Sequence, residues 1–249
     1  TYASSDTTPN IAEQTTAVET LTVTDTDTGD VNACTLGGVD AGSFSCTVSG
    51  DSVSLAFSTA PDFENPGSAD NDNDYSVTVT ISDGTNTGST ISYTVTVDDA
   101  NDFTPTYSAG DLTPSVAEGS TAVDSFTVSD ADTDDVNACT LGGADASDFT
   151  CSVSGDAITL AFSSAPDYDS AGDANSDNDY IVTVAISDGT NTGATLSYTV
   201  SVTDLNDQTP TYSSSDTTPS VSEGTTAVET LTVTDTDTGD NNACTLGGT

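Results

Sequence analysis

"YSVTVTIS", residues 75–82, decides the fold class. Tyr75, Val77, Val79 and Ile81 are apolar, and every residue between them is Ser or Thr. A period of two puts the first set on one side of an extended strand and the second set on the other, one face for a core and one for water. "ISYTVTV" continues the pattern with Ile91, Tyr93, Val95 and Val97. Shorter alternations run through Phe44, Cys46 and Val48, then Val53, Leu55 and Phe57, with Val18, Leu21 and Val23 earlier. The turn formers "TDTGD", "SGD" and "SDGTNTG" separate them. Seven short strands with one apolar face, joined by Gly/Asp/Asn turns, predict an all-β Greek-key sandwich. No segment carries a helical period.

The whole pattern recurs after 105 residues without gaps. Tyr2, Tyr107 and Tyr212 align, as do Glu13, Glu118 and Glu223, and "TTAVETLTVTDTDTGD" stands verbatim at 15–30 and 225–240. Self-similarity at a fixed period marks a tandem array. Two complete repeats are expected at 1–105 and 106–210, each long enough for its own core, with the first strands of a third at 211–249. The third segment, with about three strands, cannot close a sandwich alone. The expected reading is a window onto a longer array; the alternative is completion by another subunit through strand addition. The chain opens at Thr1 and contains no Met, which reads as a mature form or a fragment.

Charge narrows the function. The 249 residues hold 41 Asp and Glu against no Lys, Arg or His, a formal charge of −41. A chain without a basic footprint is not built for DNA, RNA or anionic lipid. No apolar run is long enough to span a bilayer. The usual bases and nucleophiles His and Lys are missing, and the acids recur identically instead of converging once, so no enzyme is expected. A carbohydrate- or protein-binding adhesion module is the competing class; against it stand the missing Trp and the in-phase, core-directed Tyr and Phe.

Cys34 and Cys46 lie twelve residues apart, and Cys139 and Cys151 repeat the interval. Cys46 shares phase with Phe44 and Val48, and Cys34 with Leu36, so both thiols point inward. One disulfide per repeat, in an oxidising and extracytoplasmic setting, follows; two buried free thiols are the alternative at this point. Cys244 has no partner because the third repeat stops before its second cysteine.

Acidic residues gather where the repeats meet, as in "DDANDFTPTY" at 98–107. In order along repeat one stand Glu13, the D-x-D of Asp25 and Asp27, "PDFE" with Asp62 and Glu64, "ISDG" with Asp83, and "DANDFTPTY". Repeat two carries Glu118, Asp130 and Asp132, "PDYD" with Asp167 and Asp169, Asp188, and "DLNDQTPTY". This order and spacing resembles a cadherin-type repeat, an Ig-like sandwich, and the resemblance covers the whole period. It implies calcium as the cofactor. The first junction would recruit Glu13, Asp62, Glu64, Asp99, Asn101 and Asp102 from below, with Asp130, Asp132, Asn137 and Asp188 from above. The second would use Glu118, Asp167, Asp169, Asp204, Asn206, Asp207, Asp235, Asp237 and Asn242. Asp25, Asp27 and Asp83 would serve a junction with a preceding repeat. The last Asn of the family's linker motif is Phe103 here, or Gln208, and the acidic element of repeat two is D-x-D. A second acidic run, Asp70, Asp72 and Asp74, reads as a solvated loop, with an extra calcium site as the alternative.

The resemblance implies an extracellular or cell-surface structural array, a calcium-stiffened stalk or filament similar in plan to bacterial adhesin extenders. Its partners would be neighbouring repeats of the same chain. The Thr/Ser-rich outer faces offer acceptors for O-linked sugars.

Overall fold

The computed structural model describes residues 1–27, 31–133, 136–239 and 241–248. Two compact units emerge. One is Thr1–Phe103 with a short segment that starts at Ala131; the other is Thr104–Asp130 with the chain from Val136 onward.

The first unit holds β1 (Asn10–Ala12), β2 (Ala17–Thr22), β3 (Ala33–Gly37), β4 (Phe44–Ser49), β5 (Ser52–Phe57), β6 (Asp74–Ser82) and β7 (Ile91–Asp98). They form two sheets, β1-β7-β6-β3 and β2-β5-β4. β1 runs parallel to β7, and the remaining pairs are antiparallel. The second unit repeats the plan with β8 (Thr106–Tyr107), β9 (Ser115–Ala117), β10 (Ala122–Ser129), β11 (Ala138–Gly142), β12 (Phe149–Ser154), β13 (Ala157–Phe162), β14 (Asp179–Ser187) and β15 (Leu196–Thr203). Its sheets are β11-β14-β15-β9 and β12-β13-β10-β8. The helical content of the described residues is one 3-10 turn per unit, Ala41–Ser43 and Ala146–Asp148. These are tandem β-sandwiches.

The alternation translates directly into burial. Tyr75, Val77, Val79 and Ile81 are buried on β6, and Tyr93, Val95 and Val97 on β7, against Val53, Leu55 and Phe57. Each such side chain contributes about 1.5–3 kcal/mol by leaving water. Phe44 stacks on Phe57 at 4.5 Å, and Tyr75 meets Phe57 edge-on at 5.1 Å. Phe149, Phe162 and Tyr180 reproduce this in the second unit. The core-facing phenols find partners: buried Tyr75 accepts from the Gly67 amide at 2.8 Å, and partly buried Tyr2 from the Ile81 amide at 3.0 Å. Tyr2 lies so close to Gly88 that a Cβ there would sit 2.5 Å from the ring.

One irregularity in the sequence has a structural cause. Val18 and Leu21 are three apart, which strict alternation forbids. The register of β2 against β5 shifts between Ala17 and Glu19, a bulge, and β10 does the same between Ala122 and Asp124.

Disulfides join Cys34 to Cys46 and Cys139 to Cys151, with Cα atoms 6.1 Å apart in each. Each ties one sheet to the other, β3 to β4 and β11 to β12. The third segment forms one antiparallel pair, β16 (Thr211–Ser213) and β17 (Thr232–Thr234), instead of the three strands expected. The counterparts of β1 and β3 have no β7 or β6 to pair with. Tyr212, Leu231 and Val233 are therefore exposed where Leu21 and Val23 are buried.

Alkylating the unreduced protein should add one label, at Cys244. After denaturation and reduction, all five cysteines should react. Labelling of more than one cysteine in the unreduced chain, read by intact mass, would contradict the pairing.

Candidate metal centre

Glu13 follows β1 directly and is 4% exposed. Its two oxygens accept from the Phe63 and Ala100 amides, both at 2.9 Å. One carboxylate thus ties the end of β1 to the loop at 61–65 and to the segment after β7. Backbone bonds reinforce the join, Glu13 N to Asp98 O at 3.0 Å and Gln14 N to Pro61 O at 2.9 Å. Glu118 performs the same task in the second unit, accepting from Tyr168 at 2.8 Å and Leu205 at 2.7 Å.

Other acids collect around this staple. Glu13, Asp62 and Glu64 each bring an oxygen within 4.8 Å of the others, and so do Glu64, Asp102 and Asp132. Asp169, Asp207 and Asp237 form the corresponding group in the second unit. Asp99 accepts from both the backbone and the hydroxyl of Thr133, and Asp204 from both groups of Thr238. The Phe103 amide donates to Asp132 at 2.8 Å, and the Gln208 amide to Asp237 at 3.0 Å. That contact needs only the main chain, so Phe103 and Gln208 can both make it.

The lone pairs are not all used. Both oxygens of Glu64 and one of Asp99 are buried and accept no hydrogen bond from the protein. In the second unit the same holds for one oxygen each of Asp204 and Asp235 and for the amide oxygen of Asn137. Buried oxygens are normally paired, and a buried carboxylate without donor or cation is costly. The pKa values register this strain. Loss of hydration, then Glu13 and Asp99, push Glu64 up to about 7. Lost hydration and neighbouring carboxylates also raise Asp102 and Asp169. The Thr238 hydroxyl and amide hold Asp204 low.

The remaining expected ligands sit as follows. Asp188 is buried and accepts from the Thr190 and Asn191 amides. Asp130 and Asn101 are partly buried, whereas Asp167, Asn206 and Asn242 are exposed. Asp25, Asp27 and Asp83 line one cleft beside Tyr2 and Asn32. In the second acidic run, Asp72 accepts from Ser68 and the Asp74 amide, both at 3.1 Å, and Asp74 from its cross-strand partner Thr96 on β7 at 2.6 Å. Thr133 and Thr238 are site residues that sequence reasoning missed; the threonine that follows D-x-D in every repeat was the available signal.

No protein-family model and no curated protein matches the chain. Solved structures do. Mouse protocadherin-24 EC1-3 superposes with a TM-score of 0.59 at 20% identity, over 96% of this chain and 76% of that one. The protocadherin gammaB7 EC3-6 cis-dimer structure gives 0.56 at 19% identity, over 94% and 55%. The fold is cadherin-like. Mouse cadherin-23 EC22-24 gives 0.55 at 18% identity, over 93% and 75%. The present chain spans about half the length of the gammaB7 structure.

This cadherin-like frame places the acids, and their burial sets a pH dependence. In metal-free protein, Glu64 goes from an ordinary 4.5 to about 7, so the folded state holds its proton more tightly than the unfolded chain. Stability of the first unit should fall as pH rises from 4.5 to 7, and Glu64→Gln should flatten that slope. Thermal melts in chelator across this range check it; an unchanged slope in Glu64→Gln would contradict the assignment.

Proposed function

We propose that the chain is a non-enzymatic, extracellular structural array of cadherin-like repeats, at 1–105, 106–210 and in part 211–249, stiffened by calcium as the stalk of a surface adhesin or as a filament. The observation that carries this reading is the set of buried, donor-less carboxylate oxygens on Glu64, Asp99, Asp204 and Asp235 in a chain without a single cationic side chain. With no cationic side chain in the chain, a proton or a cation from outside must neutralise them.

The donor set selects the ion. Every ligand is a hard oxygen, and the cysteines of the full repeats are tied up in disulfides, so the nitrogen and sulfur ligands that suit zinc are missing. Oxygens within 4.8 Å of one another can all reach one ion at calcium's usual ~2.3–2.6 Å. Calcium accepts six to eight such ligands in irregular geometry, whereas magnesium keeps several of its waters. In the first unit Glu13, Asp62, Glu64, Asp99, Asp102 and Asp132 would hold it. In the second, Glu118, Asp167, Asp169, Asp204, Asp207, Asp235 and Asp237 would do so. Asp130, Asn137, Asp188, Asn101, Asn206 and Asn242 complete the sets by sequence order, and Asp25, Asp27 and Asp83 supply a half-set of the same type.

Disulfides support an oxidising, extracellular location. Among the described residues no helix is long and apolar enough to cross a membrane. The partners on this reading are neighbouring repeats of one chain, and the exposed pair β16–β17 is where another copy could add a strand. Calcium binding to the folded state alone raises stability by mass action, about 2.7 kcal/mol at a hundred times the dissociation constant. Millimolar calcium should therefore raise the melting temperature well above that in chelator, with magnesium giving a smaller shift, and solution scattering should report a longer, stiffer particle. Identical melting and scattering in calcium and chelator would overturn the proposal.

A further inference from the structure

A second set of acids, outside the expected metal ligands, differs between the repeats in a way that assigns them different mechanical behaviour. Glu19 sits at the β2 bulge. One oxygen accepts from the Tyr93 hydroxyl at 2.5 Å and from Ser4 at 2.7 Å; the other takes the Ser5 amide and hydroxyl, both at 2.9 Å. Four donors from two segments converge on one carboxylate. Burial raises its pKa, but the donors outweigh that and hold it below the ordinary value. The leading segment of repeat one, residues 3–6, is thereby clasped to β2.

Repeat three keeps the clasp. Glu229 accepts from Ser214 at 2.6 Å and from the Ser215 amide and hydroxyl at 2.9 and 3.0 Å. No tyrosine partner is present there, so the seryl half of the clasp forms without it.

Repeat two has lost it. The acid is Asp124, shorter by one methylene, and the two serines are replaced by Ala109 and Gly110. Asp124 still accepts from Tyr198 at 2.8 Å, but its other oxygen takes the adjacent Ser125 amide. No bond joins it to residues 109–110. We propose that the leading segment of repeat two, residues 108–111, is the array's built-in yielding point, a stretch that opens locally under heat or load while its counterpart in repeat one stays locked. Segments with fewer bonds to the body of a domain open at lower free energy than the domain unfolds.

The test is amide hydrogen exchange on the full chain in saturating calcium, which holds the metal sites constant and so separates this inference from the calcium reading. Bonds to charged acceptors are worth roughly tenfold or more in an equilibrium. Ser5 should show protection at least about tenfold above Gly110. The graft Ala109→Ser/Gly110→Ser/Asp124→Glu should raise protection at position 110 by a similar factor; a Cβ at Gly110 meets nothing within 4 Å, so the serine fits. The reciprocal Glu19→Asp should lower protection at Ser5 about tenfold while Tyr93 keeps its partner, and it decides the matter if the graft fails to fold. Equal protection at Ser5 and Gly110, or a Glu19→Asp variant with Ser5 unchanged, would overturn the proposal.

Discussion

Uncompensated carboxylate is the constraint on which the rest of this structure depends. With 41 acids and no Lys, Arg or His, every negative charge must be met by water, by an N–H or O–H donor, or by an ion. The chain uses its own backbone first. Glu13 and Glu118 each take two amides, as do Asp40 and Asp145, which are nearly buried and accept from Ala69 and Ser76, or Ala174 and Ile181, at 2.7 Å. Charged acceptors of this kind make the stronger class of hydrogen bond. They do the stapling that salt bridges would do in an ordinary protein.

The candidate metal centre is what remains when that supply of donors runs out. Around Glu13 the amides of Phe63 and Ala100 are consumed by Glu13 itself, leaving Glu64 with two buried oxygens and nothing to accept from. Like charges at this distance repel, and lost hydration adds to the cost. The site is therefore costly as a structure, which is the ground for proposing a divalent ion there. The repeat architecture multiplies this at no extra design, because each unit contributes the same glutamate staple and acids at the same interval, with Asp169 in place of Glu64.

Much of this was legible in the sequence. The strict alternation of Tyr75–Ile81 and Ile91–Val97 named the strands and their buried faces, because period two has no other reading at that length. The twelve-residue cysteine interval, in phase with Phe44 and Val48, named the disulfides. The ligand order named the acids that converge, Glu13, Asp62 and Glu64 among them. What stayed hidden was the backbone's part. No side-chain pattern announces that Phe103 and Gln208 act through their amides. The Glu19 clasp is illegible for a related reason: a bulge breaks the alternation there, so period two does not say which way Glu19 points.

The central claim is that calcium occupies the donor-less oxygens. Diffraction from crystals grown in calcium, with anomalous scattering used to locate the ions, tests it most directly. The account predicts calcium within coordination distance of Glu64 and Asp99 in the first unit and of Asp204 and Asp235 in the second. Ordered water at those oxygens, with no ion in either unit at millimolar calcium, would contradict it.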